Sequence, residues 1–175
     1  MPSAKTHDRV TLLLAPPAFA ATWAVTQSPV IATAVTAGWL FGGLMFGPDL
    51  DTQSKAYQRW GPLRVLWYPY KVIFRHRSRL SHGLLLGTAV RVLYFTAALT
   101  LFIAAVLYGH NVWLLHQSTT LRESLREATL HVWEWLRAVD RTLLIAFLLG
   151  SWGGAASHTL TDWAVTVWRE TIKML

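Results

Sequence analysis

Three stretches of this chain, residues 10–48, 92–121 and 142–161, contain no Asp, Glu, Lys or Arg, and together they make up about half of its 175 residues. Uncharged, apolar runs of that length specify helices whose sides face lipid, because only a helix satisfies its own backbone there. Composition agrees: 53% of the residues are apolar and 14% are charged, against about a quarter charged in ordinary soluble domains. Disorder, a coiled coil and an ordinary soluble fold are excluded on these grounds. Cysteine is absent, so disulfides, thiolate metal sites and thiol nucleophiles are excluded as well.

A single helix over residues 10–48 would be about 58 Å long, nearly twice a hydrocarbon core of about 30 Å. The chain must turn back, and Thr26-Gln27-Ser28-Pro29 is the natural break. The first span then runs near 10–26, kinked by Pro16-Pro17, and the second near 30–47. A third, near 84–108, crosses unaided, with Arg91 close enough to its start to snorkel toward headgroups. A fourth runs near 142–158 and continues as helix into the polar residues beyond. Leu121 to Arg141, where charges of both signs interleave with Leu125, Leu130, Val132, Trp133 and Leu136, reads as an amphipathic helix. The expected fold is all-α: one membrane domain over 1–175, an integral membrane protein with about four transmembrane helices plus the amphipathic helix between spans three and four. Met1 to Arg9 mimics a signal peptide, but Thr11, Pro16 and Pro17 and the lack of a cleavage site favour retention.

Sidedness follows from charge. Lys55, Arg59, Arg64, Lys71, Arg75, Arg77 and Arg79 lie between the second and third spans, with no acidic residue from Thr52 to His82. The positive-inside rule makes that loop cytoplasmic, and with four spans both termini are cytoplasmic too. Topology therefore accounts for the excess of 16 Lys plus Arg over 9 Asp plus Glu, and nucleic acid is not expected as a partner. The expected partner is the bilayer, with anionic or phosphorylated lipid-like molecules at the basic loop; the oligomeric state is not readable. Ten Trp suit either an interfacial belt or core packing.

This topology brings four distant polar segments to one membrane face: His7-Asp8, Asp49 with Asp51, His76 with His82, and His158 with Asp162. Each has an ordinary explanation as a solvated end, a polar turn or an ion pair. Their convergence is what suggests a metal site. His158 and Asp162 are four apart and share a helix face. Asp49 and Asp51 point the same way if their segment is extended, and can then reach one metal or bridge two. His76 and His82, six apart, lie about 240° round a helix from each other, so a break between them is needed for both to serve one metal. Haem or pigment would call for His within the spans, whereas His110 and His116 stand near a span end.

The ordered set Lys-Thr-His-Asp, Phe-Gly-Gly-Leu-Met-Phe-Gly-Pro-Asp-Leu-Asp, Arg-His-Arg-Ser-Arg-Leu-Ser-His-Gly and Ser-His-Thr-Leu-Thr-Asp-Trp resembles the small cyanobacterial membrane proteins classed as metal-binding. These are similar in turn to the LexA-regulated, membrane-bound metal-dependent hydrolases. The resemblance runs from Lys5 to about Trp163. Where the wider group shows His-Arg-Gly-x-Thr-His, this chain has one more residue between His76 and His82 and no Gly. The resemblance implies His7, Asp49, Asp51, His76, His82, His158 and Asp162 as ligands of one or two divalent ions, zinc first, with manganese or iron as alternatives. It implies a hydrolase acting on a phosphoester or lipid-like substrate at the cytoplasmic face. Asp8 or Asp51 would take a proton, and Arg75, Arg77 and Arg79 would hold a phosphate or lie on anionic headgroups. The alternative is a non-catalytic membrane scaffold with a structural metal and a basic docking loop.

Overall fold

The computed structural model describes residues 3–74, 78 and 82–174. The elements formed by the described residues are all helical. Helix α1 (Ala4–Thr26) is capped by Ser3, whose side chain accepts from the Thr6 amide, and it runs through Pro16 and Pro17. It stops where the sequence predicted: Gln27 turns left-handed at φ 51°, and Ser28 and Pro29 cap and open α2 (Pro29–Leu44). A 3-10 turn (Pro48–Asp51), α3 (Lys55–Arg59), a 3-10 segment (Gly61–Trp67) and α4 (Tyr68–Ile73) follow. Helix α5 (Leu86–Gly109) ends in a π-helical turn (His110–Leu114). Helix α6 (Leu121–Ala138) precedes the long α7 (Arg141–Met174).

Among the described residues, three segments are long and apolar enough to cross a membrane: Pro29–Asp51, Leu86–Leu114 and Arg141–Met174. The expected count of about four is therefore not met on that criterion. Helix α1 falls outside it because Pro16, Pro17, Thr11 and Thr22 dilute its apolar face. The fourth expected span is the first half of a single 34-residue helix.

Two compact units are formed, Met1–Arg91 with Arg141–Leu175, and Val92–Asp140. In the first, α2 and α7 approach so closely that no side chain fits between them. A Cβ at Gly38 or Gly42 would run into the carbonyls of Phe147 or Ser151, and one at Gly150 or Gly154 into those of Val35 or Trp39. These are paired Gly-x3-Gly spacings, the device by which helices pack backbone to backbone in lipid. Helix α1 joins them through Thr11, whose side chain occupies the space beside Gly43 and whose carbonyl accepts from Trp39 Nε1 at 3.0 Å. An aromatic cluster of Phe46, Trp60, Trp67 and Tyr70, with Trp67 and Tyr70 fully buried, fastens the segment after α2. Trp60 Nε1 donates to the Met45 carbonyl at 2.9 Å. Trp67 is core, while Trp163 and Trp168 on α7 are exposed.

In the second unit, α6 begins with a full capping box. The Thr120 amide donates to Glu123 Oε2 at 2.8 Å and the Glu123 amide to Thr120 Oγ1 at 3.3 Å. Ser124 and Ala128 are buried, while Leu121, Trp133 and Trp135 are exposed and Arg137 lies over the Trp133 ring.

Candidate metal centre

The first unit gathers the polar residues of segments far apart in sequence. His7 comes from the first turns of α1, Asp49 and Asp51 from the 3-10 turn after α2, His82 from the approach to α5, and His158 with Asp162 from mid-α7. His76 and Arg75, Arg77 and Arg79 lie outside the described residues.

The contacts among these groups are specific. His7 Nε2 lies 3.3 Å from Asp162 Oδ1, and His158 Nε2 lies 3.8 Å from Asp162 Oδ2 and 3.3 Å from Asp49 Oδ2. His82 lies between the two acids of the 3-10 turn, Nε2 3.5 Å from Asp49 Oδ1 and Nδ1 3.6 Å from Asp51 Oδ2. The His7 and His158 rings stack, with centroids 3.6 Å apart and planes 6° from parallel. Ligand atoms of His7, His158 and Asp162 all fall within 4.8 Å of one another.

The separations of His7 and His158 from Asp162 and Asp49 fit a cation better than they fit hydrogen bonds. They exceed the 2.7–3.2 Å usual for N–H to O. Four ligands about 2.1 Å from a tetrahedral ion lie about 3.4 Å from each other, which is the spacing of the shorter pairs here. Asp162 Oδ1 and His7 Nδ1 are buried without a hydrogen-bond partner, a costly state for a carboxylate oxygen that a cation relieves. Burial, and after it the adjacent His158 ring, hold His7 below its ordinary pKa, against the pull of Asp162, Asp49 and Asp8. A neutral imidazole is the form that binds metal.

Other residues take roles that the sequence did not suggest. Asp8, expected as a proton acceptor, is clamped by Arg59, whose Nη1 and Nη2 donate to its two oxygens at 3.0 and 2.6 Å; Nη1 also donates to the Leu44 carbonyl at 2.7 Å. The pair ties α1 to α3 beside the site. The Asp49–Asp51 segment is not extended, so the two carboxylates do not point the same way; a 3-10 turn sends them to opposite sides of His82. Arg91 does not snorkel: it is 2% exposed, donates from Nη2 to Thr88 Oγ1 at 3.0 Å, and lies within electrostatic reach of Tyr70, Asp51 and Asp49. The signal for Arg91 was a lone charge seven residues inside an otherwise apolar run, a placement that favours function over anchoring. Lys71, in the basic loop, sits over the rings of Tyr57 and Tyr68.

Residues 2–172 match the family described as uncharacterized metal-binding protein (DUF2227), and the chain belongs to that family. A relative from Aquifex aeolicus (strain VF5), named only as an uncharacterized protein, is 45% identical over 58 residues, which are 33% of this chain and 40% of that one. The match thus spans about 40% of the curated relative's length. No solved structure matches the chain.

Proposed function

We propose that this member of a metal-binding family is an integral membrane protein that holds a divalent ion through His7, His158, Asp162 and Asp49, with His82 at the second oxygen of Asp49. The observation that carries the reading is the set of imidazole–carboxylate separations of 3.3–3.8 Å, spaced as ligands of a common ion. Imidazole and carboxylate without thiolate suit zinc first, then manganese or iron. Membrane residence is supported by the three long apolar helices. It is supported further by Leu86–Leu114, of which 11% of the apolar window is buried, leaving Leu93, Leu101 and Val106 exposed along one helix. The basic loop supports a cytoplasmic face for the site.

The activity proposed for the site is hydrolysis of a phosphoester or another polar, lipid-like substrate. A divalent ion bound there would supply Lewis acidity toward a phosphoryl oxygen and lower the pKa of water. The chain's own contribution is access and anchoring. The side chains of Asp49 and Asp162, 26% and 19% exposed, form the open edge, whereas His7 and His158 close the other side. Asp8 is engaged by Arg59 and Asp51 is enclosed, so the reading gives neither the role of a free base. Arg75, Arg77 and Arg79 are proposed to hold the phosphate.

The burial of both His7 and His158 favours one other reading, in which the metal is structural and the protein is a membrane scaffold, since structural sites are closed. One experiment separates them. The purified protein is assayed for bound metal, and then for turnover of a phosphomonoester and phosphodiester panel, beside His158→Ala. Metal-dependent turnover that disappears in the variant supports the hydrolase; bound metal without turnover supports the scaffold.

A further inference from the structure

We infer that Asp51 orients His82 from behind, selecting the ring nitrogen that His82 turns toward the metal site, and is not itself a ligand. The inference rests on the metal reading above and assigns roles within it. A neutral imidazole has one N–H and one lone pair. His82 faces a carboxylate at each nitrogen, Asp49 at Nε2 and Asp51 at Nδ1. One carboxylate must therefore meet the N–H, and the lone pair points toward the other.

Two observations decide which. Asp49 is shared with the other ligands, its second oxygen lying 3.3 Å from His158 Nε2, so a lone pair directed at Asp49 looks into the site. The Asp51 side chain is wholly enclosed, at 0% exposure against 26% for Asp49, so the Asp51 side of the ring faces the protein interior. Arg91, also buried and anchored on Thr88, lies within electrostatic reach of Tyr70 and of both Asp51 and Asp49, and so does not distinguish the two acids. The result is a carboxylate behind an imidazole whose far nitrogen serves the metal, the usual support of a ligating histidine. The 3-10 turn makes this possible. With about three residues per turn, Asp49 and Asp51 diverge and straddle the ring.

Cobalt(II), titrated into the full-length protein in detergent, tests the assignment through its visible absorption bands, which report the directly coordinating atoms. Asp51→Asn is expected to bind cobalt with bands of unchanged position and intensity and about 10- to 100-fold lower affinity. Asp49→Asn and His82→Ala are expected to change the bands. Shifted bands in Asp51→Asn would make Asp51 a ligand, and unchanged affinity would remove its orienting role; either overturns the inference while leaving the metal site in place. Absence of cobalt binding by the unsubstituted protein would instead overturn the metal reading itself. If Asp51→Asn does not fold, Asp51→Glu takes its place. There the displaced carboxylate lowers affinity with the bands in position, whereas a displaced ligand would move them.

Discussion

His7 joins the chemistry of the site to its stability. It is enclosed beside a second imidazole, and its pKa is depressed. A histidine with a lower folded-state pKa binds fewer protons folded than unfolded. Its contribution is therefore complete above the unfolded value of about 6.5 and declines as pH falls from there toward the depressed value. The metal-free protein is expected to lose thermal stability as pH falls below about 6.5, and His7→Gln to flatten that slope in a thermal melt followed across pH. Metal affinity falls over the same direction of pH, because the ligand must be neutral. Removing a ligand is more severe. His158→Ala is expected to cut metal affinity by about 100-fold or more, beyond the loss typical of an outer partner, as measured by competition with a chelator. The i,i+4 spacing of His158 and Asp162 was legible because a helix repeats; the stacking of His158 on His7 was not, because nothing in 150 intervening residues encodes a ring contact.

At the scale of elements, α2 and α7 form the frame on which the site stands, and their contact is backbone on backbone. Gly42→Leu or Gly154→Leu must force the helices apart, since the opposing atoms are carbonyls and not movable side chains. A loss of about 1–3 kcal/mol is expected, read as a lower melting temperature in detergent with metal binding weakened alongside. The separation carries Asp49, at the end of α2, away from His158 on α7. Helix α6 depends on its own start: Thr120→Ala removes the side-chain half of the capping box, leaving the Thr120 amide to donate to Glu123, and is expected to cost about 1 kcal/mol, seen as faster amide exchange over the first turn of that helix. The break between α1 and α2 was readable from Gln27-Ser28-Pro29, a local signal. The tight turn at Asp49–Asp51 was not, since Pro48 permits both an extended and a 3-10 path and the packing of Leu50, which is fully buried, selects one.

For the whole molecule, the charge distribution predicts that a reporter fused to the C-terminus and one inserted near residue 118 report opposite sides of the membrane. Finding both on one side would remove the sidedness argument for the site. By itself the sequence determined the helical class, the long apolar segments, the turn at residues 26–29, the amphipathic helix and the pool of polar residues available for metal. These follow from period, charge and a proline break, which act within a few residues. Only the tertiary structure decided how that pool is divided: Asp8 to a strap with Arg59, Asp49 and Asp162 to the open edge, Asp51 to the enclosed side of His82. The reason is physical. A carboxylate's role is set by the charges, donors and solvent within a few ångströms of it, and here those neighbours arrive from α1, α3, α5 and α7, brought together by glycines whose importance is visible only once the helices touch.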